Sequence, residues 1–379
     1  MVSKEEIRNK AMELGFADIG FTTAEPFTSQ KEILDSRKEE YQLIQKVMDL
    51  TKGTDPRNGF PEAKSMIVLL ESYFSESFPS VMEAHFGRCY QDDDRVTKDR
   101  LAPRIKAFRG FLRDQGIESK VPWNVPHRLS AARAGVANFG KNNFLYANRC
   151  NAGSSWILPI AITVDAEFEA DEPTVTVGCP DWCKNTCISS CPTRALKTPQ
   201  KLDPRLCISY LTYYATEITP MNLREPMGTW VFGCDRCQDV CPRNTPLKSL
   251  KLPPNQRVAA KAGDFELPKL LHMDKEYFES RIWPHMFYVT TDNMWLWKMN
   301  TARAMGNSLN PEYIPDLIQA FDENEDDRVK GMIVWSLGRI GGEESRQALE
   351  RFSKTSENPV KDEIQMALQQ ESRCWLKQA

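Results

Sequence analysis

CPDWCKNTCISSCP, at residues 179–192, places a cysteine at every fourth position and ends in a Cys-Pro pair. A second cysteine-rich segment, CDRCQDVCP at residues 234–242, ends in the same pair, and Cys207 lies upstream of it. Together these segments and Cys207 hold eight of the 11 cysteines in the chain. Thiolate sulfur is a soft ligand that binds iron in its different redox states. Two cysteine blocks built on one plan therefore indicate a protein that stores and passes electrons.

The Cys-Pro endings match the bacterial ferredoxin pattern, in which three close cysteines bind one [4Fe–4S] cluster and the fourth, followed by proline, binds the other. On this pattern one cluster is ligated by Cys179, Cys183, Cys187 and Cys241. The second cluster is ligated by Cys207, Cys234, Cys237 and Cys191. The first block is wider than in a ferredoxin, with C-x3-C-x3-C-x3-C-P in place of C-x2-C-x2-C-x3-C-P. Longer loops are acceptable if the sulfurs still converge.

Structural zinc and disulfide bonds are the alternatives for these cysteines. Two Cys-Pro endings in a duplicated block favour iron–sulfur clusters over zinc. The odd number of cysteines, 11, and the lack of a secretory signal argue against disulfides. Cys89, Cys150 and Cys374 have no partner at ligand spacing, so we expect ordinary thiols there.

Composition predicts a cytoplasmic protein of two or three domains. The 379 residues exceed one typical core, and 41% hydrophobic with 27% charged residues is a globular composition. No segment approaches the about 20 apolar residues of a membrane helix. The N-terminal MVSKEEIRNKAMELGF predicts an amphipathic helix and contains no export segment. A net charge of -3 excludes a general affinity for nucleic acid, so any RNA would need a local basic surface.

Residues 1–165 alternate between helical and strand patterns. The run SMIVLLE at 65–71 is continuously apolar, as expected of a buried strand. Strands are also predicted at 17–21 and 156–164, and helices at 7–14, 38–50, 95–115 and 128–134. This alternation predicts a layered α/β sandwich.

Two segments rich in small residues could bring bare backbone close to a ligand. GVANFGKNN occupies residues 135–143, and GSSW occupies residues 153–156. Glycine lets main-chain N–H groups approach a cofactor, and Lys141 and Asn142 offer donors to phosphate or amide groups. The alternative is a pair of plain turns, because Gly and Asn dominate turns for conformational reasons alone.

Several motifs resemble the epoxyqueuosine reductase family. They are CPTRAL at 191–196, LDPRLCISYLT at 202–212, Met227-Gly228 and GCDRCQDVCP at 233–242. The resemblance covers residues 10 to 245 and extends to both glycine segments. That family completes queuosine formation on tRNA with cobalamin and two [4Fe–4S] clusters, and is related to the reductive dehalogenases.

The resemblance implies an α+β multidomain protein with three parts. Residues 1–165 would form an α/β sandwich that binds cobalamin, residues 166–252 a bacterial ferredoxin-like domain with two [4Fe–4S] clusters, and residues 253–379 an α-helical domain. It also implies a cobalamin close to one cluster. By matching motif, the residues expected to contact cofactor are Gly140, Lys141, Asn142, Gly153, Ser154 and Ser209.

The segment that carries the family's catalytic aspartate has changed in this chain. Here it is VPWNVPH at 121–127, so the acid position falls at Trp123, beside Asn124. A family Asp-Tyr-His segment is replaced by DDD at 92–94. Tryptophan and asparagine are not general acids, so the expected proton donors are His127 and then Tyr90. For a lone histidine, a structural role is the alternative.

The C-terminal third predicts HEAT-like repeats. Two helical segments that end in glycine, at 300–307 and 327–341, recur about thirty residues apart, as stacked helix pairs do. The repeats would either contact tRNA or only cap the ferredoxin region. The acidic run DENEDD at 322–327 would repel phosphate. RNA would instead follow a basic helix with Arg95, Lys98, Arg100, Arg104, Lys106, Arg109 and Arg113, unless that helix is simply a solvated face.

Three functions agree with the sequence. The first is a cobalamin-dependent oxidoreductase that takes electrons from a flavodoxin or ferredoxin-like donor and removes oxygen or halide, with epoxyqueuosine in tRNA as the substrate that the resemblance implies. The second is a related corrinoid reductase that acts on a small molecule. The third is an electron carrier or reductive activator that docks on a partner protein through its helical tail.

Overall fold

The computed structural model describes residues 2–47, 49–93, 98, 100–286 and 288–375. Its contacts divide the chain into two compact units, each built from three separate segments. The first unit comprises Met1–Ser77, Lys98–Arg205 and Arg236–Pro253. The second comprises Phe78–Thr97, Leu206–Asp235 and Pro254–Ala379. Within the described residues, no helix is both long enough and apolar enough to cross a membrane.

The first unit is built on an antiparallel sheet of four strands. Its described strands are β1 Asp18–Thr23, β2 Ser65–Ser72, β3 Ser119–Lys120, β4 Ala137–Phe139, β5 Leu145–Ala147, β6 Ile157–Val164, β7 Leu196–Thr198 and β8 Lys201–Leu202. The main sheet has the order β1-β2-β6-β3, and the remaining strands form the hairpins β4-β5 and β7-β8. Val68 lies opposite Gly20 on one side and Ala161 on the other, which fixes the register.

Both faces of this sheet are covered by helices, which explains the continuous apolar run of β2. Ile67 and Leu69 face a core completed by Ile7 and Phe108, from the helices Lys4–Glu13 and Leu101–Asp114. The alternate side chains of β2 face a second core, which Ala131 of the helix His127–Arg133 joins. Alternating side chains point to opposite faces of a strand. The first unit is therefore a helix–sheet–helix sandwich.

Helix bounds differ from prediction where the hydrophobic pattern is weak. The structure has two helices in this region: Thr28–Ser36, which was not predicted, and Gln42–Val47, which lies within the helix predicted at 38–50. Only Leu34 is buried in the first of these, so its sequence has no apolar periodicity to reveal it. The helix predicted at 95–115 extends over Leu101–Asp114, and Arg95 lies outside the described residues. Short helices follow at Thr186–Ser189, Arg236–Asp239 and Thr245–Lys248.

The second unit is helical. Its described α-helices are Ser80–Glu83, Arg88–Gln91, Ile208–Tyr214, Met221–Arg224, Gln256–Lys261, Leu267–His272, Lys275–Tyr277, Met294–Ser308, Ile314–Glu323, Asp327–Ile340, Glu343–Ser353 and Val360–Trp375. The last five form the predicted repeats, since the equally spaced helices that begin at Met294, Asp327 and Val360 pack side by side in one apolar core. Within that core, the Arg224 guanidinium donates to both carboxylate oxygens of Glu363 at 2.7 and 2.6 Å.

Two glycines allow these helices to pack closely. A Cβ atom on Gly306 would lie 2.8 Å from Ser336 Cα, and one on Gly338 would lie 2.7 Å from Ala367 Cβ. Ser336 is itself fixed, because its hydroxyl donates to the Ala302 carbonyl at 2.8 Å. Neither contact leaves room for a methyl group.

We therefore expect Gly306→Ala to destabilise the second unit. The methyl group would meet backbone and not a mobile side chain, and overpacking of this kind costs about 1–3 kcal/mol. Gly263→Ala is the matched control, because the atom nearest to a Cβ at that position would be Lys269 Nζ, at 3.9 Å. Chemical denaturation followed by circular dichroism measures both free energies of unfolding. Equal values for the two variants would contradict the close packing at Gly306.

Candidate functional site

The structure brings Cys179, Cys183, Cys187 and Cys241 together in the first unit; we call them the first cysteine set. Three come from the loop and short helix before β7, and Cys241 precedes the turn Pro242–Asn244. Burial, and then the nearby thiols of Cys241, Cys183 and Cys179, raise the pKa of Cys187 to about 11. Burial is also the main cause of the raised pKa of Cys179. Burial and close thiol neighbours thus disfavour the thiolate forms of Cys179 and Cys187, and a positively charged metal core would offset both effects.

The preference for a cluster over zinc at these cysteines rests on their spacing and Cys-Pro endings. All ten of them are free thiols in the described part of the chain, so none forms a disulfide bond. Among the described residues, no group of three or more His, Cys, Asp or Glu side chains is arranged to hold a metal ion. Zinc requires sulfurs at about 2.3 Å from one shared point, whereas a cubane binds each sulfur at a different corner.

The other four predicted ligands are divided between the units. Cys191 and Cys237 belong to the first unit, and Cys207 and Cys234 to the second. Cys207 begins the helix Ile208–Tyr214. Their shared ligation of a second cluster stays a prediction.

The β4-β5 hairpin directs two hydrogen-bond donors at the first cysteine set. The backbone N–H of Lys141 donates to Cys179 Sγ at 3.3 Å. The Tyr146 hydroxyl donates to Cys241 Sγ at 3.1 Å. The Arg243 guanidinium lies 4.3 Å from the centre of the Tyr146 ring. The sequence analysis did not identify Tyr146 or Arg243 as site residues. The one sequence feature that points to either is that Arg243 directly follows a Cys-Pro pair.

The first glycine segment forms the turn of this hairpin. A Cβ atom on Gly140 would lie 2.3 Å from Tyr146 Cε2, so glycine is needed for the ring to pack. The buried Asn142 donates to the Tyr146 hydroxyl at 3.0 Å and to the Cys237 carbonyl at 3.2 Å. Among the described residues, the Lys141 side-chain ammonium has no hydrogen-bond or ion-pair partner. Of the three predicted cofactor residues here, only Lys141 keeps a free polar group.

The second glycine segment packs against the loop after Cys241. Gly153 has a positive φ of 68°, and the Ser154 hydroxyl accepts a hydrogen bond from Asn151 at 2.8 Å. The next residue, Ser155, donates its backbone N–H to Asn244 Oδ1 at 2.9 Å and its hydroxyl to Gln238 Oε1 at 2.9 Å. Both glycine segments thus support the cysteine loops directly.

Ser209, the last predicted cofactor residue, lies in the second unit. Its hydroxyl is 3.2 Å from the Tyr213 hydroxyl, which is 3.4 Å from that of Tyr90. Burial is the main cause that raises the pKa of Tyr213 to about 12 and the pKa of Tyr90 well above its ordinary value. Tyr90 is therefore a weak acid in this setting.

The predicted catalytic residues of the first unit make structural contacts. Asn124 donates to the Asp49 carbonyl at 3.2 Å, while Trp123 is 64% exposed. The Nδ1 atom of His127 accepts the backbone N–H of Ala161 in β6 at 2.9 Å. Strand β3 pairs with β6 only at Ser119–Lys120 and does not reach Ala161. The imidazole therefore accepts a backbone N–H that β3 leaves without a strand partner.

The acidic segment at 92–94 and the basic helix also have partners within their own units. Asp92 forms an ion pair with Arg257 at 3.0 Å, Asp93 accepts from the Tyr288 hydroxyl at 3.2 Å, and Asp94 lies outside the described residues. On the basic helix, Arg104 pairs with Glu71, and Arg109 donates to Ser119. These two arginines stabilise the first unit and are only partly free for RNA.

Comparisons with known proteins agree with this architecture. A model of the 4Fe-4S double cluster binding domain matches residues 179–244, and a model of HEAT repeats matches residues 289–369. The structure of epoxyqueuosine reductase from Bacillus subtilis, whose description reports a catalytic aspartate loop swung out of the active site, superposes with a TM-score of 0.80 at 25% identity. That superposition covers 97% of this chain and 98% of the other.

Curated relatives show the same family across the chain. Epoxyqueuosine reductase of Listeria monocytogenes is 27% identical over 94% of each chain. Epoxyqueuosine reductase of Leadbetterella byssophila is 30% identical over 254 residues, which are 64% of this chain and 80% of that relative. The chain belongs to the epoxyqueuosine reductase family of oxidoreductases.

Proposed function

We propose that this protein is a cobalamin-dependent iron–sulfur reductase that acts on epoxyqueuosine in a tRNA stem loop. The observation that carries the proposal is the convergence of the first cysteine set in a family member with the double-cluster motif. A structural relative of similar fold, with a TM-score of 0.81 at 24% identity, is described in complex with an epoxyqueuosine-modified stem loop of tRNA-Tyr. The HEAT repeats would offer a surface for that RNA.

Two [4Fe–4S] clusters would supply the electrons. The first cysteine set holds one, and Cys207, Cys234, Cys237 and Cys191 hold the other, as the ferredoxin pattern predicts. Each cluster carries a single electron at a time, which an external flavodoxin or ferredoxin-like donor would provide.

Cobalamin would be held by the segments that also frame the first cysteine set. When bound, it would supply a cobalt ion that changes oxidation state and removes oxygen reductively. The ammonium of Lys141 is the group available to a phosphate or amide of the cofactor. Gly140, Asn142, Gly153 and Ser154 shape the supporting loops, since the polar groups of Asn142 and Ser154 already have protein partners. A cofactor contact of Ser209 stays a prediction from the matching motif.

The proton supply is where this chain departs from the family. His127 must keep Nδ1 unprotonated to accept the Ala161 N–H, so it cannot become an imidazolium without losing that bond. Tyr90 has a raised pKa, and Asn124 is no acid. With exposed Trp123 at the acid position, the arrangement supports a second candidate function, a corrinoid reductase whose small-molecule substrate or solvent provides the proton.

Cobalamin binding followed by turnover separates these functions. We expect anaerobically reconstituted protein to bind cobalamin, seen by its corrin absorption. With dithionite as the source of the two electrons, it should convert an epoxyqueuosine-modified stem loop to the queuosine form, with the oxygen released as water, as measured by mass spectrometry. Binding without conversion would favour the small-molecule reductase. A protein with iron but no affinity for cobalamin would be an electron carrier.

Cysteine variants test the two ligand sets. Cys241→Ser and Cys191→Ser should each alter one cluster, and the two variants should alter different clusters, because each Cys-Pro cysteine binds the cluster of the opposite block. Iron analysis, at about eight per chain in the unchanged protein, and low-temperature EPR of the reduced clusters measure the effect. Cys150→Ser, a half-buried thiol outside both sets, should leave both clusters intact. If both serine variants altered the EPR signal of the same cluster, the assignment of each Cys-Pro cysteine to the cluster of the opposite block would be wrong.

Replacement of His127 tests its structural role. His127→Ala leaves the Ala161 N–H without its acceptor, so the free energy of unfolding should fall by about 1–3 kcal/mol. Turnover per folded molecule should stay nearly unchanged. His127→Gln, which retains an acceptor oxygen, should recover part of the stability. A loss of about 10²-fold or more in turnover at unchanged stability would instead identify His127 as the proton donor.

A further inference from the structure

The hydrogen bond between Tyr146 and Cys241 is directed at a cluster ligand from outside the cysteine motif. Tyr146 is 1% exposed and lies on β5, so a rigid strand and not a mobile loop holds the ring. We propose that Tyr146 is a positioning residue that raises the reduction potential of the cluster bound by the first cysteine set. The inference rests on the cluster assignment proposed above.

The direction of the hydroxyl proton follows from the partners of Tyr146. Asn142 Nδ2 donates to the Tyr146 oxygen at 3.0 Å, so that oxygen acts as an acceptor toward Asn142. Its own proton is left for Cys241 Sγ at 3.1 Å. Asn142 is fixed in turn, because its Oδ1 accepts the Phe144 N–H at 3.2 Å. The network therefore orients the O–H group toward sulfur.

A cation strengthens this donor. Arg243 lies over the Tyr146 ring and donates to Asn138 Oδ1 and to the Gly178 carbonyl, both at 3.1 Å. Among the described residues it has no carboxylate partner that would cancel its charge. Arg243 therefore places a positive charge beside the ring whose hydroxyl donates to Cys241.

Reduction makes these contacts stronger. The oxidised cluster gains one electron, no covalent bond forms or breaks, and Tyr146 keeps its proton. The added negative charge is shared by the cluster and its ligand sulfurs, and hydrogen bonds to charged acceptors are stronger than those to neutral ones. Hydrogen bonds to cluster sulfurs are one of the factors that set the reduction potential. Stabilising the reduced form more than the oxidised form raises the potential.

Tyr146→Phe removes the hydroxyl and keeps the ring. We expect the one-electron reduction equilibrium of this cluster to fall about tenfold, which is a shift of about 59 mV toward more negative potential. A potentiometric titration with dithionite, followed by EPR, measures it. Tyr41→Phe is the matched control, because this tyrosine belongs to the same unit and stacks on Arg37 without any described cysteine contact. Its potential should equal that of the unchanged protein.

The cluster whose reduction potential shifts in Tyr146→Phe should be the one whose EPR spectrum Cys241→Ser alters. Iron analysis distinguishes failure of the cluster assignment from failure of the role proposed for Tyr146. If the protein without substitutions binds no iron, the cluster assignment itself is wrong. Full iron in Tyr146→Phe with an unshifted potential would overturn the inference. If Tyr146→Phe does not assemble its cluster, resonance Raman spectra of the protein without substitutions test the hydrogen bond instead. Iron–sulfur stretching bands should shift in D₂O, and bands that do not move would overturn the role of Tyr146.

Discussion

The approach of four buried or half-buried sulfurs in the first cysteine set is the constraint on which the cysteine loops of the first unit depend. Four sulfurs that lose solvation and repel one another when ionised will not stay together unless a cation compensates them and the backbone holds them. The loop that carries three of them has little regular structure of its own. It contains one four-residue helix, and Asn185 before that helix adopts a left-handed conformation with φ 58°. Order must therefore come from neighbouring elements.

That order comes from the sandwich. Strand β6 is central in the sheet, and the segment that leads into it, Ser155, binds Asn244 and Gln238 on either side of Cys241. The β4-β5 hairpin supports the same cysteine from Tyr146. The buried sheet thus fixes the position of the sulfurs through short polar contacts, each worth about 0.5–1.5 kcal/mol. The glycine segments are part of this support, which is the reason that bulkier residues do not fit at Gly140.

The sequence predicts features that leave a pattern in neighbouring residues, and it does not predict contacts between residues far apart in the chain. Continuous apolar runs located β2 and β6, because both faces of these strands are buried, and glycine-terminated segments recurring about thirty residues apart located the repeat helices. No such pattern marks Thr28–Ser36, where one residue is buried. Cysteine spacing predicts the two ligand sets, and the structure places the four sulfurs of the first set near one another. The partners of Lys141, Asn142 and His127 were beyond reach, because a turn lysine or a lone histidine has the same local sequence whether it faces a cofactor, a sulfur or a strand edge.

The supply of electrons and the supply of protons rest on different physical requirements in this fold. Electron transfer needs sulfurs at fixed positions, which only the covalent spacing of the cysteines and their buried supports provide. A proton can come from any acid that reaches the reacting atom, including water or the substrate. The segment that holds Trp123 and Asn124 can therefore change without disturbing the cysteine loops. Under the proposed function, an exposed indole in place of a carboxylate would alter what can be bound and protonated there, while the hydrogen bond to Cys241 comes from Tyr146 on another element. Trp123 and Asn124 thus bear on the proposed substrate and not on the support of the cysteine loops.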